Sequence, residues 1–207
     1  MKHSARPGFT PDVKARLDAF VELLRRWTLR INLVGRADAA DIWERHIIDS
    51  AQLAALLTDL PVVPADATIL DLGAGAGFPG LVLGIVTGRR VHLVEADQRK
   101  AGFLREAARV CEADAVIHAE RIERLSLPSF HVVTARALAP LPVLLGFAAP
   151  VLRPDGICLF LKGRTAEAEL TQARRQWQMQ VERFPSCTNP DATIFRLREV
   201  ARVQSIG

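Results

Sequence analysis

Hydrophobic residues recur along the chain at two different spacings. Up to about residue 60 they fall three or four positions apart, the spacing of one face of an amphipathic helix. The first series follows Pro11 and includes Val13, Leu17, Phe20, Leu24 and Trp27. A second helix is expected to begin near Asp38 or Asp41. The pattern predicts a helical extension over residues 1–60, joined to the rest of the chain by a proline-containing linker.

From Thr68 onward, short apolar runs alternate with helical stretches. The predicted strands are 68–72, 91–95, 115–118, 131–135 and 157–162, and the predicted helices between them are 79–87, 98–112 and 140–152. Such alternation builds a mainly parallel sheet. A polar helix over 167–180 precedes two strands near 181–184 and 193–199, whose short connection predicts an antiparallel hairpin at one sheet edge. Residues 61–207 are therefore expected to form a Rossmann-like α/β core.

Composition places the chain among globular proteins. It has 207 residues, of which 49% are hydrophobic and 24% charged, which suits one domain with an extension. No apolar run reaches the roughly 18–20 residues that cross a bilayer, and the N-terminal residues do not resemble a secretory signal. The three cysteines are widely spaced and form no CxxC pair, which favours neither disulfides nor a zinc site. We expect a cytoplasmic protein with no metal.

The basic residues are nearly all arginine. Of the 27 Lys and Arg residues only four are Lys, and the net charge is +4. Arginine binds phosphate through its planar guanidinium and stacks on bases, which favours a partner such as RNA. A compositional bias of the genome would explain the same excess. Arg25, Arg26, Arg30 and Arg36 occur without an acid between them, either as an RNA-backbone contact or as a solvated helix face.

The most informative segment is DLGAGAGFPG, which begins at Asp71 and leads from a strand through glycines into a helix. Gly75, Gly77 and Gly80 satisfy the GxGxxG fingerprint of dinucleotide-binding proteins. Asp71, Gly73, Gly75 and Gly77 satisfy the DxGxGxG signature of S-adenosylmethionine (AdoMet) methyltransferases. A carboxylate before the loop repels a pyrophosphate but suits the cationic methionine end of AdoMet. The segment therefore favours AdoMet, with a dinucleotide or a purely structural loop as alternatives.

A second carboxylate ends the next predicted strand. Glu95 stands where an acid can accept hydrogen bonds from both ribose hydroxyls of an adenosine. The alternative is a surface acid beside the following helix, which Asp97 is placed to cap. The position at the end of a strand favours the ribose contact.

Beyond these motifs the chain resembles a known family, the RsmG (GidB) small-subunit ribosomal RNA guanine-N7 methyltransferases. The blocks that carry the resemblance, in order, are INLVG (31–35), ERHIIDS (44–50), DLGAGAGFPG (71–80), KAGFLREAA (100–108), RIERL (121–125), TARALAPL (134–141) and LKG (161–163). The resemblance implies a class I AdoMet-dependent methyltransferase that acts on 16S ribosomal RNA or the small ribosomal subunit. The chain departs from the family at Glu95, usually aspartate, and at Val34, often threonine.

The resemblance also implies the residues of a cofactor site. Gly73 and the neighbouring glycines would face the methionine and ribose, and Phe78 would lie against the ligand. Ile122 and Glu123 would flank the adenine, although an isolated isoleucine is usually a core residue and an acid beside arginines is often solvated. Arg136 would stand at the mouth of the pocket, since a cation in an apolar run needs an anionic partner.

The expected chemistry needs positioning rather than acid–base catalysis. Guanine N7 has a free lone pair and no proton to lose, so no general base is required. Arg136 and Lys162 are the candidate catalytic residues in this positioning role, and Lys162 is either a phosphate contact or a surface lysine. His46 and Asp49, three apart on one helix face, are expected to brace the extension on the core or to reach RNA; the alternative is a core histidine paired with a neighbouring acid. Asn32 is a loop amide or a substrate contact.

Three other functions remain open from the sequence. They are an NAD(P)-dependent oxidoreductase, a ribosome-binding assembly factor with a relict AdoMet site, and a methyltransferase of a small molecule. A monomer is the default because the chain contains no long heptad pattern.

Overall fold

A computed structural model describes residues 6–35, 41–58 and 63–203. Arg36 and the possible helix start at Asp38 lie outside these residues. The N-terminal region is helical, as predicted: α1 (Pro11–Thr28), a π-helix (Trp43–Ile48), α2 (Asp49–Ala51) and α3 (Leu53–Thr58). Helix α1 begins where the Thr10 hydroxyl accepts a hydrogen bond from the Val13 amide at 3.3 Å. Thr10 thereby satisfies one of the free amides at the helix start.

Strands and helices then alternate. Strands β1 to β5 span Ile69–Leu72, Val91–Val94, Ala115–His118, Phe130–Arg136 and Leu152–Lys162. Helices α4 to α7 span Gly80–Thr87, Gln98–Val110, Leu141–Ala148 and Ala166–Ala173, and two 3₁₀ turns span Ile122–Arg124 and Ala149–Val151. The last two strands are β6 (Trp177–Pro185) and β7 (Thr193–Arg202). The predicted strands are thus confirmed.

The seven strands form one sheet in the order β3-β2-β1-β4-β5-β7-β6. The first five are parallel, and β7 pairs antiparallel with both β5 and β6. The predicted C-terminal hairpin is therefore confirmed, and β7 is the strand that joins it to the parallel part. Because β1 to β5 run in the same direction, their carboxyl ends and the loops that follow them share one edge of the sheet.

The predicted polar helix over 167–180 is too long. Helix α7 ends at Ala173, and β6 begins at Trp177, whose side chain is buried. Glutamine and arginine side chains suit a helix and an exposed strand face equally well, so periodicity alone does not separate the two here. Gln178, Gln180 and Arg183 of β6 are exposed, and β6 lies at the edge of the sheet.

Helices pack on both faces of the sheet. One face carries a hydrophobic cluster that includes Phe20 of α1, Phe103 of α5 and Ile69 of β1, with the rings of Phe20 and Phe103 in contact. The other face is covered by α6 and α7, which enclose Phe160 and Phe195. Burial of each of these Phe side chains contributes roughly 1.5–3 kcal/mol to the free energy of folding, relative to leaving it exposed. The N-terminal helices thus share a core with the sheet. Within the described ranges, no helix combines the length and apolar character of a membrane crossing.

Candidate active site

The glycine loop leaves β1 at the carboxyl edge of the sheet. Gly73, Gly75 and Gly77 have φ angles of 67°, 55° and 91°, a left-handed region that favours glycine. A Cβ atom placed on Gly75 would meet nothing closer than the Gly73 carbonyl at 3.9 Å, so this face of the loop is open. Gly80 is the opposite case, because a Cβ there would lie 2.5 Å from the Asp71 Cβ. The loop therefore combines an open surface with a tight strand–helix contact.

Asp71 lies beneath this loop and is fully buried. Its Oδ2 atom accepts the Gly80 amide hydrogen at 2.9 Å and so holds the start of α4 against β1. Its Oδ1 atom is buried without a hydrogen bond to any described residue. Burial raises the pKa of Asp71 to about 7, although the Gly80 hydrogen bond and the charge of Arg136 oppose the shift. The carboxyl group therefore titrates near neutral pH.

Glu95 faces the glycine loop from the end of β2. One carboxylate oxygen accepts the Gly75 amide hydrogen at 2.9 Å, and the other accepts that of Asp97 at 2.8 Å. Each oxygen keeps a second lone pair, so ribose hydroxyls can bind without breaking these bonds. Asp97 caps α5 by accepting hydrogen bonds from the amides of Arg99 and Lys100, as the sequence suggested. The Glu95 carboxylate is thus held in place by backbone amides at the loop.

The two candidate adenine-binding residues, Ile122 and Glu123, lie beyond the end of the neighbouring strand β3. Ile122 and Glu123 form the 3₁₀ turn that follows β3, and β3 pairs with β2. Ile122 is half-buried against the core, whereas Glu123 is exposed. Together with the open face at Gly75 and the carboxylate of Glu95, this edge offers an apolar wall and hydrogen-bond acceptors for an adenosine. The residues present fit AdoMet.

Phe78 is buried and forms the floor of a short stack. The His46 ring lies parallel to the Phe78 ring with centroids 4.8 Å apart, and the Arg136 guanidinium lies 4.9 Å from the same ring. Phe20 of α1 packs on Phe78 at 5.5 Å. The π-helix thus brings His46 onto the glycine loop, and irregular helices of this kind are frequent at functional sites.

Arg136, at the end of β4, joins the sheet to the N-terminal helices. Its Nη1 donates to Asp49 Oδ2 at 3.2 Å and to the Arg45 carbonyl at 3.1 Å, and its Nη2 lies 2.9 Å from His46 Nδ1. Arg136 and Asp49 are mostly shielded from solvent. The anionic partner that the sequence required for Arg136 is therefore Asp49 in this structure. The sequence-predicted residues His46, Asp49 and Arg136 come together at one place.

Asp49 also holds the turn between β6 and β7. Its Oδ1 atom accepts hydrogen bonds from the Thr188 hydroxyl at 2.7 Å and from the Gln52 side-chain nitrogen Nε2 at 2.9 Å. The Gln52 side-chain oxygen Oε1 in turn accepts a hydrogen bond from the Cys187 backbone amide at 2.8 Å. Through Asp49, three separate segments of the chain are fixed to one another. No sequence pattern signals this link, because Thr188 lies far from Asp49 along the chain.

Lys162, at the end of β5, is paired within the protein. Its ammonium lies 2.6 Å from Glu169 Oε2 and donates to the Ala139 carbonyl at 2.9 Å. The sequence analysis did not identify Glu169. A usable signal was present, because Lys162 ends a strand and Glu169 lies in the first turn of the helix that follows. The lysine lines the site, but its charge is offset by Glu169.

An open cleft of about 750 Å³ lies where β4 and β5 end. Its lining includes Arg45, His46, Asp49, Arg136 and Lys162, together with acids and the β6–β7 turn. Four of the substrate-side candidates therefore border one space. Asn32 is exposed in the loop after α1 and is not among the residues that line this cleft. Among the described residues, no three His, Cys, Asp or Glu side chains converge as metal ligands do.

Solved structures share this architecture at low identity. Magnesium protoporphyrin IX methyltransferase (ChlM) from Synechocystis PCC 6803 with bound SAM matches with a TM-score of 0.62 and 13% identity, over 93% of this chain and 99% of that chain. An O-methyltransferase from Bacillus cereus in complex with SAH matches with a TM-score of 0.59 and 14% identity, over 87% and 91%. The fold is that of class I AdoMet-dependent methyltransferases.

Sequence comparison identifies the branch of this class. The model of the family described as rRNA small subunit methyltransferase G matches residues 13–195. Proteins named ribosomal RNA small subunit methyltransferase G are 51% identical in Granulibacter bethesdensis, over 96% of this chain and 91% of the relative, and 53% identical in Rhodospirillum centenum, over 97% and 91%. The chain belongs to this methyltransferase G family and is an AdoMet-dependent methyltransferase. The family predicted from the sequence is confirmed, and the oxidoreductase alternative is set aside.

Proposed function

We propose that this chain transfers the methyl group of AdoMet to N7 of a guanine in 16S ribosomal RNA. The observation that carries the proposal is the position of the cleft. It lies at the carboxyl ends of β4 and β5, where its lining residues His46 and Arg136 stack on Phe78 of the glycine loop. Its charged lining residues are the cations Arg45, Arg136 and Lys162 and the acids Asp41, Glu44, Asp49 and Glu169. Such a space suits a nucleotide that approaches the cofactor from the RNA. The names of the relatives support ribosomal RNA of the small subunit as the substrate.

The reaction demands little from acid–base groups. Bound AdoMet supplies a methyl group on a sulfonium, which an attacking lone pair can accept directly. Guanine N7 offers such a lone pair and loses no proton, so the protein has to hold the base in line and keep water away. The buried hydrogen bonds of Arg136 to Asp49 and His46 keep the guanidinium fixed at the cleft wall. Fixed side chains of this kind provide orientation without reorganisation during the reaction.

The cofactor site would be formed by the loop and the two strand ends beside it. Gly73, Gly75 and Gly77 would admit the methionine and ribose parts, and Glu95 would accept the ribose hydroxyls. Ile122 would cover one face of the adenine, and Glu123 would accept a hydrogen bond from the adenine amine. Phe78 would support this site from below through its contact with His46. Asp71 would act beneath the loop, by holding Gly80.

An RNA partner also suits the end of α1. Arg16 binds the Cys111 carbonyl at the end of α5, whereas Trp27 binds Glu106 further toward its start, so the two helices run antiparallel. The last turn of α1, with the exposed Arg25 and Arg26, therefore lies toward the carboxyl edge of the sheet. These cations would contact RNA phosphates beside the cleft. RNA of the small subunit would place the enzyme in the cytoplasm.

The test is methyl transfer to the proposed substrate. Small ribosomal subunits are isolated from a strain that lacks this protein and are incubated with the enzyme and AdoMet labelled in its methyl group. Labelled RNA is then digested, and the modified nucleotide is mapped. The proposal expects one guanine to gain one methyl group at N7. An Arg136→Ala variant should lose most of this turnover at a temperature where it is still folded, since Arg136 borders the cleft. Its melting temperature shows that the fold is retained.

Other results would contradict the proposal in distinguishable ways. Methylation of another base or of another atom would refute the guanine-N7 assignment. AdoMet binding in calorimetry without transfer to any subunit preparation would favour a small-molecule substrate or an assembly factor. Naked 16S RNA, tested beside the assembled subunit, shows which form of the RNA is the acceptor.

A further inference from the structure

The segment between β4 and α6 has an unusual conformation. Ala137, directly after Arg136, has a φ of 52°, a left-handed value that costs a non-glycine residue about 1–2 kcal/mol. The following residue, Leu138, is partly exposed although it is large and apolar. Such backbone persists only where surrounding contacts impose it.

The Leu138 side chain packs against the glycine loop. A Cβ atom placed on Gly73 would come within 2.6 Å of Leu138 Cδ1, so the leucine side chain covers the first glycine of the loop. This contact joins the segment after β4 directly to the loop that is proposed to hold AdoMet. Any movement of Leu138 would therefore change the surface that the cofactor meets.

Two buried charges hold the segment on its far side. Lys162 donates to the Ala139 carbonyl at 2.9 Å, and Glu169 Oε2 accepts the Leu141 amide hydrogen at 2.8 Å. That amide is at the start of α6, where no helical carbonyl is available to it. The two side chains bind each other at 2.6 Å and are 8% and 17% exposed. Lys162 and Glu169 thus satisfy the backbone on both sides of Pro140.

Glu169 itself is firmly fixed. Its other oxygen accepts the Thr165 hydroxyl at 2.7 Å. Burial alone would raise the pKa of Glu169, but the hydrogen bonds from Lys162, Thr165 and the Leu141 amide outweigh it and lower the pKa. The carboxylate therefore stays charged at neutral pH. Because Arg136 fixes the other end of the segment to Asp49, both ends of the strained residues are held.

We propose that Glu169, together with Lys162, is a positioning residue for AdoMet: the pair fixes the segment Ala137–Leu141 so that Leu138 forms one wall of the cofactor site. Glu169 acts through Leu138 and does not need to touch the cofactor. Without the pair the segment would have to be ordered on binding, and this ordering reduces affinity. The inference rests on the proposed cofactor site at the glycine loop and is independent of which base receives the methyl group.

The test compares AdoMet affinity among variants by calorimetry. Glu169→Ala should raise the Kd for AdoMet about tenfold, because ordering the segment then opposes binding. Glu169→Gln should raise it less, because the amide oxygen can still accept the Leu141 hydrogen. Leu138→Ala should raise the Kd about as much as Glu169→Ala, and the double variant should be no worse than either single variant, since both act through the same wall of the site.

A matched control separates positioning from general stability. Glu167 lies on the same helix but is exposed and pairs with Arg183 at 2.8 Å, so Glu167→Ala should leave the Kd unchanged. Glu169→Ala should raise the KM for AdoMet, whereas partial unfolding would lower only the apparent kcat. In the protein without cofactor, the Leu141 amide should exchange its hydrogen faster in Glu169→Ala.

Each outcome decides the proposal. An unchanged Kd in Glu169→Ala, or effects on affinity that simply add in the double variant, would overturn it. If Glu169→Ala does not fold, Glu169→Gln and Leu138→Ala decide, and the proposal fails if both bind AdoMet like the wild type. Gly75→Val distinguishes this failure from that of the cofactor site. If Gly75→Val also binds normally, the glycine loop itself is misassigned.

Discussion

At the scale of single residues, two glycines of one loop have opposite tasks. Gly75 leaves an open surface, whereas Gly80 allows α4 to approach the strand that carries Asp71. Asp71 links the two positions, because its buried carboxyl group binds the Gly80 amide and fixes the start of α4 beneath the loop that carries Gly75. A motif that looks uniform in sequence therefore divides into positions for the ligand and positions for the fold.

The open glycine gives the first prediction. Gly75→Val should abolish AdoMet binding, because a branched side chain would occupy the face on which the cofactor is proposed to lie. Its φ of 55° also makes any side chain strained, which should lower the free energy of unfolding by about 1–3 kcal/mol. Calorimetry measures the binding, and circular dichroism shows that the fold is retained. Normal affinity would contradict the loop assignment.

The buried carboxyl gives a prediction about pH. The pKa of Asp71 is raised to about 7 in the folded chain from 3.8, so the folded state binds this proton more tightly. Its contribution to stability is complete below pH 3.8 and is lost as the pH rises to about 7. Asp71→Asn keeps an acceptor for Gly80 without the charge. It should therefore gain stability over the wild type between about pH 4 and 7, reaching roughly 2–4 kcal/mol.

Denaturant unfolding of the cofactor-free protein checks this titration. The difference in unfolding free energy between Asp71→Asn and wild type should grow from about pH 4 to about pH 7 and stay constant above it. Parallel curves across this range would show that Asp71 has an ordinary pKa.

At the scale of elements, the π-helix and α2 connect the N-terminal helices to the site. Asp49 binds Arg136 on β4 and Thr188 in the β6–β7 turn, so one carboxylate joins three elements. His46, one turn earlier, covers Phe78. The N-terminal region is thus a wall of the cleft as well as a covering of the sheet.

Removal of this carboxylate should therefore be costly. Asp49→Ala leaves the shielded Arg136 and several hydroxyl and amide donors without their acceptor, and should lower the free energy of unfolding by about 2 kcal/mol. Asp18→Ala removes an exposed ion pair with Lys14 and should cost less than about 0.5 kcal/mol. Thermal unfolding of both variants measures the contrast. Equal small effects would show that Asp49 does not join these elements energetically.

The sequence predicted elements better than it predicted contacts between them. The alternating apolar runs indicated every parallel strand, because burial on both faces leaves a continuous apolar signal. The edge strand β6 was partly assigned to a helix, since its exposed Gln and Arg residues carry no such signal. The candidate residues at strand ends were found because parallel strands end at one edge. Glu169 and Thr188 were missed, because their importance depends on tertiary pairing with Lys162 and Asp49.

At the scale of the whole molecule, exposed arginines lie toward both edges of the sheet, and only some of them are near the cleft. The exposed Arg25 and Arg26 end α1 on the side where the glycine loop and cleft lie. Arg174 and Arg175 are equally exposed but follow α7, which runs away from that edge. An overall charge of +4 therefore says less about RNA binding than the position of these arginines.

This arrangement predicts a difference between two equally charged variants. Replacing Arg25 and Arg26 with Gln should weaken binding to small-subunit RNA and reduce the slope of log affinity against log salt by about 1 for each phosphate that is no longer bound. Replacing Arg174 and Arg175 with Gln changes the net charge by the same amount and should leave the slope nearly unaltered. Filter binding over a range of salt concentrations measures both. Identical slopes in the two variants would indicate a nonspecific charge effect.

The contacts that complete the cleft also determine when in its lifetime a chain becomes active. Arg136 and Asp49 are 87 residues apart, and Thr188 and Asp49 are 139 apart. Contacts between such distant residues form late, because the intervening chain must first be ordered. The β6–β7 turn is, moreover, synthesised after all five parallel strands. A newly made copy therefore gains its complete cleft only after β6 and β7 have left the ribosome and β7 has paired with β5.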